Sequence, residues 1–167
     1  MKEEFFNIIK PFLDNENFLK SQSSIHHGVI KLDHSLKVSY YSYKIGKILN
    51  LNCNNIAIGG LLHDFFFSNT KGKSISKEGV KSLKNHHFVS LHNSINNFEL
   101  NDMEKDIIFK HMFPVILTIP KYKESLLVAL IDKLVGSIEF LSKFRKLFTY
   151  KVLAKGFPAF LILFSLK

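Results

Sequence analysis

Apolar residues recur along most of the chain at spacings of three and four positions, a period that predicts amphipathic helices. Sustained alternation of apolar and polar residues, the pattern typical of strands, is not found. The helices are predicted at about Glu3 to Leu13, Asp33 to Asn50, Asn54 to His63, Glu78 to Phe98, Asn101 to His111, Tyr122 to Phe144 and after Phe148. We therefore expect an all-α helical bundle with no sheet beyond an incidental hairpin.

Loops are predicted where this apolar period stops. They cover Asn15 to Leu32, Phe65 to Ser76 and Pro114 to Lys121. Asn101 can cap the helix that follows it, and Glu104 stands where the acid of a capping box reaches back. Asp33 is a candidate cap for the helix that carries His34.

Length and composition favour one compact domain over residues 1–167, because 167 residues with 46% apolar content are enough for a substantial core. Cys53 is the only cysteine, so no intrachain disulfide can form, which suits a reducing cytoplasm. The segment from Met1 to Leu13 carries acids at its start and does not resemble a secretory signal. We expect a cytoplasmic protein.

The longest apolar run, Phe157 to Leu166, is about half the ~20 residues that a membrane-spanning helix needs, and Pro158 interrupts its start. We interpret residues 148–167 as a terminal apolar helix that docks on the core, and we expect no membrane partner. The net charge of +9 favours partners that carry phosphate. The lysines are scattered rather than clustered, which argues against nucleic acid.

Histidines and aspartates at the ends of apolar stretches are the candidate functional residues. The side chain of His34 is predicted to point inward, because it shares an apolar helix face with Val38, Tyr41, Ile45, Ile48 and Leu49, although a lone inward histidine is more often a core residue than a ligand. His63 and Asp64 stand between two strongly apolar segments, and a metal would remove the cost of burying that carboxylate. The alternative is that Asp64 caps the loop and His63 is partly exposed.

Asp132 interrupts a helix that is apolar nearly all round and is therefore predicted to be buried. The residues on the same helix face as Asp132 are mostly small, which would leave room for an ion and a substrate. They are Ser125, Val128, Ala129 and Gly136. The alternative is an aspartate paired with a lysine at the domain edge. His86 and His111 lie near predicted helix ends and complete the set, with His87 and His92 competing with His86.

Four ordered segments carry a resemblance to the HD superfamily of metal-dependent phosphohydrolases: HHGVIKLDHSLKVSYYSYKIGKILNLN, GGLLHDFFF, NFELNDMEKDIIFKHMFP and PKYKESLLVALIDKLVGSIEF. The resemblance covers about residues 27–140, and these segments are similar to those of small bacterial HD-domain proteins. It implies that His34, His63, Asp64 and Asp132 hold one metal, and that His86 and His111 join Asp64 around a second. Imidazole and carboxylate ligands suit Fe, Mn, Zn, Co or Ni, whereas Mg favours more oxygen ligands.

The same resemblance implies hydrolysis of a nucleotide or another small phosphate ester by a metal-bound hydroxide, which Asp64 would orient. Lys37 and Lys133 are candidates for neutralising charge on the phosphate oxygens, and Lys73 and Lys110 are further candidates for binding the substrate. For any one of these lysines, a solvated surface position is the alternative.

One departure from the pattern concerns the residues after the His-Asp pair. Many HD hydrolases continue the pair with a glycine and a lysine near the metal, but this chain continues with Phe65, Phe66 and Phe67. Lys71 and Lys73 are the nearest loop cations that could replace that lysine.

Two rival functions fit the same residues. An HD-type mixed-valent di-iron oxygenase uses the same six ligand types in the same order. A nucleotide-binding regulatory module would keep the fold without catalysis. A purely structural helical protein would require the family order of six ligands to be a coincidence. The oligomeric state is left open.

Overall fold

The computed structural model describes residues 1–22, 25–26, 29–66 and 77–154. The helices are α1 (Lys2–Leu13), α2 (Glu16–Gln22), α3 (Lys31–Ile48), α4 (Cys53–Leu62), α5 (Lys77–Asn97), α6 (Asp102–Lys110) and α7 (Lys123–Ala154). Two short strands, β1 (Ile25–His26) and β2 (Val29–Ile30), pair antiparallel with Ile25 opposite Ile30. The prediction of an all-α fold with at most an incidental hairpin is confirmed.

Helix α4 lies at the centre and packs against α1, α3 and α6. Two adjacent glycines allow this close packing, each on a different side. A Cβ at Gly59 would lie 2.6 Å from Cγ2 of Ile107 on α6, and a Cβ at Gly60 would lie 3.0 Å from the Cα of Ser39 on α3. Because a larger side chain would force these helices apart, the two glycines place the carboxyl end of α4 in the middle of the protein.

Two clusters of buried apolar side chains are found in the described part of the chain, and α4 contributes to both. The first contains Phe5, Ile9, Phe18, Tyr43, Ala57, Leu61, Leu62, Phe65 and Ile108. The second contains Val38, Ile56, Ile107, Val128, Ile131 and Val135. Each large side chain that is fully buried contributes about 1.5–3 kcal/mol by leaving water, so these clusters hold the six helices that they join.

The predicted loop from Asn15 to Leu32 is wrong. It contains α2 and the hairpin, and α3 begins at Lys31. Helix α2 starts with a cap that the sequence offers, because Oδ1 of Asn15 accepts a hydrogen bond from the backbone N–H of Phe18 at 3.0 Å. Burial of Phe18 in the first core cluster then holds this short helix, a tertiary contact that local periodicity does not reveal.

The caps predicted for α3 and α6 have opposite outcomes. Asp33 does not cap α3, because it lies within the first turn and accepts a hydrogen bond from Lys37. The capping box of α6 is confirmed. Oδ1 of Asn101 accepts from the backbone N–H of Met103 and Glu104, while Oε2 of Glu104 accepts from the backbone N–H of Asn101 at 2.9 Å.

The buried face of α3 differs from the predicted apolar face. Tyr41, Ile48 and Leu49 are exposed, whereas the buried residues are mostly small: Ser35, Val38, Ser39, Ser42 and Gly46, with Lys31 and Tyr43. The reason is the close approach of α4, which admits only small side chains. The buried hydroxyl of Ser39 finds a partner within that contact, because it donates a hydrogen bond to the carbonyl of Ala57 at 2.6 Å.

Helix α7 is continuous, so the predicted break between Phe144 and Phe148 is wrong. Neither proline nor glycine occurs from Phe144 to Ala154 to stop the helix. The prediction that α7 is buried all round is also wrong, since Leu126, Leu130 and Leu134 are exposed. Of the predicted terminal helix, residues 148–154 belong to α7, and residues 155–167 lie outside the described part of the chain.

The chain divides into two compact units, Met1–Val135 and Gly136–Lys167. In the second unit the described residues are the remainder of α7, where the hydroxyl of Ser142 donates to the carbonyl of Glu139 at 2.8 Å. The interpretation of the chain as one domain stays a prediction. Among the described helices, none combines the length and apolar character needed to cross a membrane.

Candidate metal centre

Six side chains that the sequence singled out come together inside the first unit. They are supplied by five helices or helix ends: His34 by α3, His63 and Asp64 by the end of α4, His86 by α5, His111 by the end of α6, and Asp132 by α7. They form two groups, and within each group the candidate ligand atoms lie within 4.8 Å of one another. The packing around α4 therefore assembles residues that are up to 98 positions apart.

The same local structure presents two of the histidines. His63 is the C-cap of α4 and His111 is the C-cap of α6. In each case Nδ1 lies 2.7 Å from the carbonyl oxygen three residues earlier, Gly60 for His63 and Ile108 for His111. A carbonyl oxygen only accepts, so Nδ1 carries the proton and donates it. The ring thereby satisfies one of the carbonyls that a helix end leaves without an intrahelical partner.

This arrangement turns Nε2 of both rings toward the candidate centre. With the proton on Nδ1, the Nε2 atom of a neutral ring has the lone pair that a metal binds. Nε2 of His63 is buried and has no hydrogen-bond partner among the described residues. A buried nitrogen without a partner is costly in a protein interior, and a bound cation would satisfy it. The residues therefore fit a metal ion.

The first group consists of His34, His63 and Asp132. Nε2 of His34 lies 3.0 Å from Oδ1 of Asp132, and Nε2 of His63 lies 3.6 Å from the same oxygen. The side chains of His34 and Asp132 are 15% and 13% exposed, whereas that of His63 is 1% exposed. This group is thus open to solvent on the side formed by α3 and α7.

The second group consists of Asp64, His86 and His111. Oδ1 of Asp64 lies 3.4 Å from Nε2 of His86 and 3.7 Å from Nε2 of His111. The two imidazole Nε2 atoms are 2.9 Å apart. All three side chains are buried. Three ligand atoms that converge on so small a space are a suitable environment for a second ion.

Asp64 connects the two groups. Its Oδ1 faces His86 and His111, while its Oδ2 lies 3.7 Å from Nε2 of His63, which belongs to the first group. Each carboxylate oxygen therefore faces a different set of histidines. A single carboxylate arranged in this way has the geometry of a bridging ligand.

The electrostatics of the centre keep both aspartates charged and His111 neutral. Burial by itself would raise the pKa of Asp64, but the neighbouring histidines outweigh it and hold that pKa well below its usual value. Burial would also raise the pKa of Asp132, but the hydrogen bond with His34 and the charges of His63 and Lys133 outweigh it and lower that pKa. Burial, assisted by the charge of His63, lowers the pKa of His111 to about 3. Charged carboxylates and neutral imidazole are the forms that bind metals.

The structure distinguishes His86 from its neighbours in sequence. Nε2 of His86 faces Asp64, whereas the ring of His87 packs against Phe109 with centroids 5.2 Å apart. His92 is exposed and its Nε2 lies 3.0 Å from the side-chain amide of Asn96. Of these three histidines, the described geometry brings only His86 into the centre.

The four lysines proposed for substrate contact are placed differently. Nζ of Lys133 lies at the centre and donates to Oδ2 of Asp132 at 2.6 Å and to the carbonyl of His111 at 2.9 Å. Lys37 forms an ion pair with Asp33 on the outer side of α3. Nζ of Lys110 lies 5.1 Å from the ring centroid of Phe109. Lys73, like Lys71, lies outside the described residues.

Three polar residues next to the centre were not identified as candidate site residues from the sequence. Gln22, Lys31 and Asn93 donate hydrogen bonds to the backbone carbonyls of residues 64–66, immediately after His63. Gln22 and Lys31 fell within the predicted loop, so nothing marked them as buried. A lysine three residues before His34 was the available signal, because that spacing puts both residues on one side of a helix.

Lys31 is a buried cation. Its side chain is 1% exposed, and Nζ donates to the carbonyl of Phe66 and lies 3.5 Å from the centroid of the Phe66 ring. Burial lowers the pKa of Lys31 to about 8, and the charge of Asp64 partly opposes this change. A lysine is therefore present beside the His-Asp turn, although it comes from α3 and does not follow the pair in sequence.

The fold and the centre together define the class: an all-helical protein in which histidine and aspartate side chains from five helices form a candidate metal site. The HD domain family matches residues 32–136, well over half of the chain. The chain belongs to the HD domain family. Comparisons with curated proteins and with solved structures found no match. HD-domain proteins are mostly metal-dependent phosphohydrolases, and the His/Asp groups agree with metal-dependent hydrolase-type activity.

Proposed function

We propose that this chain is a metal-dependent phosphohydrolase that acts on a nucleotide or another small phosphate ester. The observation that supports this most directly is the position of Asp64. Its two carboxylate oxygens face two different sets of histidines, at 3.4–3.7 Å from their Nε2 atoms. Two neighbouring cations that share a carboxylate are a recurrent arrangement in enzymes that hydrolyse phosphate esters.

The types of ligand atom limit which metal ions the centre would hold. His34, His63 and Asp132 would hold one ion, and His86 and His111 would hold a second, with Asp64 shared between them. Four imidazole nitrogens and two carboxylates favour Fe, Mn, Zn, Co or Ni over Mg. When bound, such ions supply positive charge that activates a water molecule and stabilises negative charge on phosphoryl oxygens.

Differences in exposure support a substrate-binding position on the side of the first group. His34 and Asp132 are partly exposed, and the side chain of Lys133 beside them is 32% exposed, whereas the second group is buried. Lys133 would hold a phosphate oxygen of the substrate and neutralise its charge, while its contact with Asp132 keeps Nζ at the centre. The net charge of +9 favours the approach of an anionic substrate.

A di-iron oxygenase is the second candidate, because the same four imidazoles and two carboxylates suit iron. Both activities would use the six residues described above, so the ligand geometry alone does not separate them. The two candidates differ in what they consume, since an oxygenase takes up dioxygen and a phosphohydrolase releases phosphate or a nucleotide.

The test combines metal analysis with two activity assays on the same preparation. The protein is purified, its metals are measured by elemental analysis, and it is screened for phosphate release from a panel of nucleotides while oxygen uptake is recorded. We expect about two transition-metal ions per chain and turnover of at least one nucleotide, lost in Asp64→Asn. Oxygen uptake without phosphate release would favour the oxygenase. Nucleotide binding without turnover, with each metal added in turn, would favour a regulatory module.

A further inference from the structure

Three successive backbone carbonyls after the end of α4 each accept a hydrogen bond from a side chain on a different helix. The carbonyl of Asp64 accepts from Nε2 of Gln22 on α2 at 3.0 Å. The carbonyl of Phe65 accepts from Nδ2 of Asn93 on α5 at 2.8 Å. The carbonyl of Phe66 accepts from Nζ of Lys31 on α3 at 2.5 Å. We call these three donors the carbonyl clamp.

Backbone carbonyls beyond a helix end need partners, and water or nearby turns often provide them. Part of this need is met locally, because the carbonyl of Asp64 also accepts from the backbone N–H of Phe66 at 2.8 Å. The side-chain donor from Gln22 is therefore additional to the turn. Three donors from three separate helices fix the position of the segment relative to the rest of the protein, which a local turn cannot do.

Each donor is connected to an element that carries a candidate ligand. Oε1 of Gln22 accepts from the hydroxyl of Ser35, the residue after His34, at 3.1 Å. Lys31 itself lies on α3, in the turn before His34. Asn93 lies on α5 seven residues, or two helical turns, after His86, and so on the same face of that helix.

The clamp therefore links the backbone of residues 64–66, which carries Asp64, to both groups of the centre. Gln22 and Lys31 connect it to α3, which supplies His34 to the first group. Asn93 connects it to α5, which supplies His86 to the second. A bridging carboxylate must hold one oxygen toward each group, so small rotations of its backbone would improve one contact at the expense of the other.

We propose that Gln22, Lys31 and Asn93 are positioning residues that orient Asp64 between the two groups, so that both ions can be bound at once. This inference rests on the two-metal centre proposed above. Gln22 acts through the carbonyl of Asp64 itself, and the other two donors act through the carbonyls of the next two residues, so none of the three needs to touch the ions or the substrate. A purely structural role for the same hydrogen bonds would lower the stability of the fold without changing metal affinity.

The test measures metal binding by the full-length chain after it has been stripped with a chelator. Gln22→Met and Asn93→Leu each remove a donor while keeping a side chain of similar size. Asn96→Leu is the matched control, because Asn96 is exposed on α5 and its side-chain amide hydrogen-bonds with the equally exposed His92. Mn²⁺ is titrated calorimetrically, and thermal unfolding is recorded with Mn²⁺ and with chelator.

We expect Gln22→Met and Asn93→Leu to weaken Mn²⁺ binding about 10- to 100-fold, the usual effect of removing a partner that orients a metal ligand. The rise in melting temperature that Mn²⁺ produces should shrink in both variants and stay unchanged in Asn96→Leu. Asn93→Gln, which keeps the amide donor, should restore part of the affinity. Because Asn93 is only partly buried, its variants decide the question if Gln22→Met fails to fold.

Two negative results have different meanings. If the wild type binds two ions and both variants match it in affinity and stoichiometry, the clamp has no positioning role and the proposed function is unaffected. If the wild type itself binds fewer than two ions, the two-metal centre is wrong, and this inference fails with it.

Discussion

Helices α4 and α6 end in the same way but continue differently. Each ends at a histidine whose Nδ1 donates to the carbonyl three residues back and whose Nε2 faces the centre. After His63, the carbonyls of residues 64–66 are held by side chains from α2, α3 and α5. After His111, the segment 112–121 exposes three aliphatic side chains, Val115, Leu117 and Ile119, by 70%, 86% and 77%.

The difference shows which part of the centre is local and which is long-range. A helix end is enough to fix the tautomer and direction of an imidazole, because donor and acceptor lie within four residues. Orienting the carboxylate of Asp64 takes partners that are 42, 28 and 35 residues away from the carbonyls they hold. The His-Asp turn should therefore be far more sensitive to substitution than the segment after His111.

The largest effect is expected for Asp64→Asn. The amide keeps the volume of the side chain but loses the charge that both groups of histidines face. We expect loss of both metal ions and a fall in hydrolysis of more than about a hundredfold, beyond the usual effect of removing a residue that only orients a ligand. Elemental analysis and a phosphate-release assay measure this. The control is Asp102→Asn in the exposed first turn of α6, and full metal content in Asp64→Asn would exclude a bridging role.

A second experiment compares the two helix ends directly. His63→Ala and His111→Ala each remove one imidazole held by the same local hydrogen bond. We expect His63→Ala to weaken binding of the ion in the first group and His111→Ala that in the second, each by about 10- to 100-fold or more. Metal titration of stripped protein gives both affinities, with His92→Ala as the exposed control. Unchanged stoichiometry in His111→Ala would leave a one-metal site of His34, His63, Asp64 and Asp132.

A third prediction concerns the pH dependence of stability through Lys31, measured in chelator-stripped protein. The folded pKa of about 8 lies below the usual 10.5, so the unfolded chain binds more protons between these values. The free energy of unfolding should therefore rise with pH across this window, relative to Lys31→Met, by on the order of 1–3 kcal/mol. Urea unfolding at about pH 7 and about pH 10 measures the difference in the free energy of unfolding between wild type and Lys31→Met. The charge of Asp64 acts on Lys31 and stays constant across this pH range. If the difference in the free energy of unfolding between wild type and Lys31→Met did not change with pH, the lowered pKa of Lys31 would be contradicted.

The smallest effect is expected for Leu117→Ser, in the segment after His111. The side chain of Leu117 is 86% exposed, so its removal leaves no cavity. The free energy of unfolding should change by less than about 0.5 kcal/mol, and metal content should stay at the wild-type level. Chemical denaturation and elemental analysis test both statements. A loss above about 1 kcal/mol would show that this segment is held as tightly as the His-Asp turn.

Features that depend on neighbouring residues could be predicted from the sequence. Helices α1, α3, α4, α5 and α6 were predicted within two residues of their observed ends, because the apolar period is a local property, whereas the end of α7 was missed by ten residues. The capping box of Asn101 and Glu104 was predicted for the same reason, since its donors and acceptors lie within three residues. The order of the histidines and aspartates indicated the HD domain, which the family match confirms.

The tertiary structure decided the features that depend on distant residues. It brought His86, and not His87 or His92, next to Asp64, because the choice depends on how α5 is rotated against α4 and α6. It also showed that α3 buries small residues, since α4 approaches α3 so closely at Gly60 that no room is left for a larger side chain there. Gln22, Lys31 and Asn93 could not be identified from local patterns, because their hydrogen-bond acceptors are backbone carbonyls, which look the same at every position of the sequence until the fold brings the donors to them.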